Sequence, residues 1–215
     1  MERLYFTILL LFISYNSLFS QNSEVQVDSL QPENAVSDTL VENDSEPLLP
    51  TKYIFTQRLL WSENGLMRNF NHFNLTEEGR DRELAIRNTM LTAHRYLGYA
   101  TLAGMIAQGI VGQRLSTGEY GLKDLHEGLA GAVNIGYFTT AGLSLFAPPR
   151  MKDRSAGLST VKVHKYLSII HLSSMVATNV LSGMIEKNPS LIPYHKAAAF
   201  TAFGSYFASL VVIHF

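Results

Sequence analysis

The stretch TAHRYLGYATLAGMIAQGIVGQ, Thr92 to Gln113, decides how the chain is read. After His94 it continues nearly free of charge for a length that matches a bilayer. About 20 apolar residues at 1.5 Å per residue cover a hydrocarbon core of about 30 Å. Gln108 is its strongest polar interruption, and Gly98, Gly104, Gly109 and Gly112 keep its surface low. Three more apolar segments follow. Lys123 to Ala147 stops at Pro148-Pro149. Thr160 to Ile185 stops at Glu186-Lys187-Asn188-Pro189, and Pro193 opens a last segment that runs to Phe215. Short connections make the four segments neighbours. The expected fold class is therefore all-α, an integral membrane four-helix bundle in up-down-up-down order over residues 91–215.

Composition agrees with an apolar body carrying a polar arm. Hydrophobic residues make up 47% of the 215 and charged residues only 16%, low for a soluble protein. A net charge of −1 without a basic run argues against a nucleic-acid partner. The chain has no cysteine, which excludes disulfides, zinc–thiolate sites and iron–sulfur ligation. A metal would have to be held by His, carboxylate or Met.

The first 90 residues divide into three parts. Arg3 precedes the apolar run Leu4 to Ile13, and small and polar residues end in SLFSQ, so residues 1–20 are expected to be a signal peptide. Residues 21–50 carry seven acids and no Lys or Arg or aromatic residue, and Pro32, Pro47 and Pro50 break any helix. Such a segment buries too little apolar area to offset its ordering entropy, so a disordered acidic tether is expected. In residues 51–90, Tyr53, Phe55, Leu59, Trp61, Leu66 and Phe70 alternate with Arg58, Arg68 and Asn64-Gly65. This pattern predicts an amphipathic collar at the membrane surface, with Trp61 and Tyr53 at headgroup depth. Thr76 followed by Glu77 and Glu78 marks a helix start.

Each apolar segment has a histidine just inside its beginning: His94, His126, His164 and His195. Superposing them exposes an internal repeat. HRYLGYATLAGMIA at 94–107 aligns with HKYLSIIHLSSMVA at 164–177, an offset of 70 residues. With His126 set on His195, an offset of 69, Ala130 meets Ala199 and Tyr137 meets Tyr206. Helices entering from alternating sides put His94 and His164 near one face and His126 and His195 near the other. First and third helices are diagonal in such a bundle, as are second and fourth. Two imidazoles facing the axis at one depth suit the two axial positions of a flat porphyrin. Gly98, Ala130, Ser168 and Ala199, one turn after each histidine, are all small and would leave a slot. Arg95, Lys165 and Lys196 follow three of the histidines, where cations could meet propionates or simply snorkel to the interface. His171, two turns beyond His164 on the same face, is an alternative ligand to it.

Four successive spans with one histidine near the start of each, spaced 32, 38 and 31 residues apart, resemble the cytochrome b561 core. The resemblance covers Thr92 to Phe215. It implies two haems b per chain, one held by His94 with His164 and one by His126 with His195. It implies a dihaem membrane cytochrome that transfers electrons across the bilayer, an electron-transfer component or oxidoreductase. Many members add a helix on each side of this core; only the four are evident here. No counterpart of the basic ascorbate-binding segments is found, so donor and acceptor stay open between a quinol and a periplasmic redox protein. The competing class is a non-redox polytopic membrane protein: a His-lined transporter, a metal-binding scaffold, or an anchor for a periplasmic partner. A homodimer is compatible with either.

The expected location is the cell inner (plasma) membrane, multi-pass, with the N-terminal segment extracytoplasmic. The positive-inside rule opposes that orientation, because Arg150, Lys152, Arg154 and Lys162 share one loop on the side the signal puts outside. The export signal is given precedence.

Overall fold

The computed structural model describes residues 47–151 and 159–214. The expected signal peptide and nearly all of the expected acidic tether lie outside them. Five α-helices and no strand are found among the described residues: α1 Phe55–Trp61, α2 Glu77–Ser116, α3 Lys123–Leu145, α4 Thr160–Ile185 and α5 Ile192–His214.

Local chemistry fixes the helix ends. The Thr76 side chain accepts from Gly79 N at 3.1 Å, with Glu77 and Glu78 in the first turn where the helix dipole favours acids. From there α2 runs unbroken for 40 residues, about 60 Å. It is twice the thickness of a bilayer core, so one helix contains both the end of the expected collar and the first apolar stretch. It closes at Gly118, whose φ of 111° favours glycine. Helix α3 ends just before Pro148-Pro149, and α4 starts at Ser159, whose side chain accepts from Lys162 N at 3.3 Å. Helices α2 and α3 are joined through a 3₁₀ turn at Tyr120–Leu122, and α4 and α5 through one at Pro189–Leu191. The repeat therefore extends to the connections.

Helix α2 packs mainly on α3, α4 mainly on α5, and α2 also meets α5. The buried side chains between these four helices come largely in repeat-related pairs. Thr101 and His171, Met105 and Met175, Val133 and Ala202, Tyr137 and Tyr206, and Thr140 and Ser209 are all buried. Two copies of one helix pair thus supply corresponding faces to one core.

Two helices, Thr160–Ile185 and Pro189–Ile213, are long and apolar enough to cross a membrane. The other two long helices are diluted by glycine, at 98, 104, 109 and 112 in α2 and at 128, 131, 136 and 142 in α3. Only 11% and 17% of the two apolar windows is buried. Their Ile170, Val176, Val180, Phe200 and Phe207 side chains are exposed, the reverse of a soluble core helix.

Residues 47–76 are clamped to one end of this assembly. Thr56 Oγ1 donates to Leu145 O (2.5 Å), Trp61 Nε1 to Phe146 O (2.9 Å) and Gln57 Nε2 to Ala147 O (3.0 Å). Arg87 donates to Pro148 O (2.5 Å) and Arg80 to Pro149 O (3.1 Å). The carbonyls of Leu145 to Pro149, at and just past the end of α3, are thus each taken by one of these side chains. Trp61 is consequently buried against the end of α3. Arg80 and Glu83 are fully buried, with the Glu83 carboxylate paired to both Arg80 and Arg68. Arg80 also donates to Leu48 O at 2.8 Å, so the arginine fork is held from three directions.

Candidate functional site

Histidine in a helix interior has one nitrogen too many for simple packing, and its partners decide which one stays open. His94 Nδ1 lies 2.8 Å from Thr140 O, and His164 Nδ1 lies 2.9 Å from Ser209 O. A carbonyl only accepts, so in both rings Nδ1 carries the proton and Nε2 holds a lone pair. The two bonds are equivalents under the repeat, running from α2 to α3 in one half and from α4 to α5 in the other. The rings stand 6.3 Å apart, centre to centre, with planes at 83°. Both are half-buried.

The second pair sits at the opposite ends of the helices. His195 Nδ1 is 3.0 Å from Thr178 O, which fixes the same tautomer. His126 is different. Its Nε2 lies 3.3 Å from Gln108 Nε2, while its Nδ1 and Gln108 Oε1 are buried without a hydrogen-bond partner among the described residues. Gly112 lies against this ring: a Cβ there would stand 2.7 Å from His126 Cε1.

His171 is buried on the axis between the two pairs. Its Nδ1 shares a 2.5 Å hydrogen bond with the Tyr137 hydroxyl, and its ring packs edge-on to Tyr137 and Tyr206 at 5.6 and 5.1 Å. The Tyr206 hydroxyl donates to Gly98 O at 3.1 Å. Nearer the second pair, Asn134 and Asn179 exchange amide hydrogen bonds of 2.7 and 2.9 Å.

The small residues take several places. Gly98 is buried, and the space over it is filled by the Tyr206 hydroxyl, 3.5 Å from where a Cβ would stand. Ala130 and Ala199 are half-buried, and Ser168 Oγ donates back to His164 O at 2.8 Å. Of the cations, Arg95 lies exposed over the Tyr96 ring at 5.5 Å and Lys165 is exposed at the same end. Lys196 Nζ reaches Ser116 Oγ at 3.1 Å at the other end.

The carbonyls of Thr140, Ser209 and Thr178 escaped the sequence reading, since every residue has a carbonyl. Tyr137 and Tyr206 carried a signal: they coincide in the repeat. Among the described residues no group of three or more His, Cys, Asp or Glu side chains is arranged to hold a bare metal ion. No protein-family model, curated protein or solved structure matches the chain.

Proposed function

We propose that the chain is a dihaem b-type membrane cytochrome of cytochrome b561 type, in which His94 and His164 would hold one haem and His126 and His195 the other. The observation that carries this is the His94–His164 geometry. Two facing ring nitrogens, each about 2 Å from a shared metal, set their ring centres about 6 Å apart. The two ring centres stand 6.3 Å apart. Each ring also donates Nδ1–H to a carbonyl, the outer-sphere bond that orients a ligating imidazole and leaves Nε2 open. The orphaned Nδ1 of His126 and Oε1 of Gln108 favour a further group at the second pair.

Bound haem would supply a one-electron iron couple. The chain's contribution would be to present four imidazoles, exclude water between the pairs, and set a low-dielectric shell. Arg95 and Lys165 stand where they could meet propionates of the first group, and Lys196 those of the second.

A membrane setting follows from the outward apolar faces of α4 and α5, and we extend it to all four long helices. Glycine in α2 and α3 lowers hydropathy yet suits close helix packing in lipid. We further propose an inner-membrane, multi-pass protein with a cleaved signal and an extracytoplasmic acidic tether. Its donor would be a quinol or a periplasmic redox protein.

The test is a reduced-minus-oxidised absorption spectrum of the detergent-solubilised, purified protein. Low-spin b-type bands are expected; a featureless difference spectrum defeats the reading.

A further inference from the structure

Residues 47–76 turn their polar groups inward. On α1, Thr56, Gln57 and Trp61 donate to the carbonyls of Leu145, Ala147 and Phe146. Just beyond it, Arg68 donates to the carbonyls of Ser62, Phe73 and Trp61 and pairs with the Glu83 carboxylate. With about 3.6 residues per turn, Thr56, Gln57 and Trp61 occupy one side of α1, and Phe55, Arg58 and Leu59 occupy the other. That outer side is mostly apolar. Phe55 and Leu59 are 80% and 51% exposed, and beyond α1 Leu66 and Phe70 are 52% and 59% exposed. A surface segment made for water shows its polar face instead. Single exposed apolar residues are ordinary, whereas four large ones in so short a stretch mark a contact surface.

Two observations identify what this surface meets. The first is its place. Leu145 and Phe146, whose carbonyls hold Thr56 and Trp61, expose their own side chains at the end of α3. The clamp thus sits where the exposed apolar side chains of α3 end. The second is charge. Residues 47–76 hold Lys52, Arg58 and Arg68 against one acid, Glu63, and both Lys52 and Arg58 are exposed. Arg58 lies on the outer side of α1 with Phe55 and Leu59. Apolar side chains with Lys or Arg among them suit the boundary between lipid headgroups and acyl chains.

We propose that the clamp is a bilayer-interface anchor, with Phe55, Leu59, Leu66 and Phe70 inserted at the headgroup–acyl boundary and Lys52 and Arg58 on headgroup phosphates. Segments of this kind bury their apolar face about 5–10 Å deep. Trp61 has a different part, tying the anchor to α3 through Phe146 O. The anchor fixes the depth of the end of α3, and so of the end of the bundle where His94 bonds to Thr140 O and stands beside His164. The inference rests on the membrane setting and not on the haem.

The chain has no cysteine, so single-cysteine variants of the full chain can each carry one environment-sensitive fluorophore. The variants are Leu59→Cys and Phe70→Cys on the anchor, Val176→Cys on the exposed face of α4, and Glu77→Cys as the aqueous reference. Each is placed in nanodiscs of phosphatidylcholine and phosphatidylglycerol whose lipids carry a nitroxide either near the headgroup or near the chain end. Iodide is the quencher in water. The labels in Leu59→Cys and Phe70→Cys should be quenched most by the shallow nitroxide and be shielded from iodide. The label in Val176→Cys should be quenched most by the deep one. If Leu59→Cys and Phe70→Cys respond as Glu77→Cys does, to iodide alone, the inference is overturned. Shielding from iodide and from both nitroxides overturns it too, since a second copy or another part of the protein would then cover the face. Failure of the deep nitroxide at Val176→Cys defeats the membrane setting instead, and it is read independently of the anchor.

Discussion

His94 and His164 each donate Nδ1–H to a main-chain carbonyl, and their ring centres stand 6.3 Å apart. If they act on one group, removing either should abolish the same spectral component. The double variant His94→Ala/His164→Ala should then add little to either single one, the strong coupling expected of residues that share a site. His126→Ala and His195→Ala should together affect the other component. His171→Ala is the control. Its Nδ1 is engaged by Tyr137, so both components should survive while stability falls by about 1–3 kcal/mol for the buried hydroxyl left without its partner. Loss of a component in His171→Ala with His164→Ala intact would move the ligand two turns deeper. The four histidines were legible from their spacing because a helix start is marked by local residues. The partners of their second nitrogens were not, because a carbonyl has no letter in the sequence.

At the scale of the elements, the clamp of residues 47–76 on the end of α3 depends on a buried carboxylate between two arginines. Glu83→Ala would leave Arg80 buried and unpaired, and removal of one partner from a buried pair costs about 3–5 kcal/mol. The expected result is a lowered thermal midpoint in detergent with faster proteolysis between residues 62 and 76; an unchanged midpoint would contradict it. Helix faces can be tested with two glycines. A Cβ at Gly136 would lie 2.9 Å from Thr101 Oγ1, whereas one at Gly109 meets nothing within 4 Å. Gly136→Ala should destabilise by about 1–3 kcal/mol through overpacking. Gly109→Ala should be neutral or stabilising by up to about 1 kcal/mol, from helix propensity. Thermal melts of the two variants decide. Helix boundaries were readable, with Thr76 and Pro148-Pro149 acting through caps and stops. The clamp was not. Its apolar and basic residues read as a surface pattern, and nothing in one segment says that its side chains complete the last turn of another 85 residues away.

For the whole molecule, the repeat links sequence to architecture. His94 and His164 bond to Thr140 and Ser209, repeat equivalents, and buried residues pair off from Thr101 with His171 to Thr140 with Ser209. Where the halves differ, function is expected. His171 stands where the first half has Thr101, and His126 alone of the four has no carbonyl on its Nδ1 among the described residues. Two of the four long helices have the apolarity to cross a bilayer on composition alone. Glycines lower the hydropathy of α2 and α3, which the proposed function counts as the other two spans, while permitting close packing. The measurement that bears on all of this is the haem-to-protein ratio of the pure chain, by pyridine haemochrome against amino-acid analysis. Two imidazole pairs at opposite ends require a ratio near two, with both irons six-coordinate and low-spin. A ratio near one would remove the second pair, and zero would contradict the cytochrome reading outright.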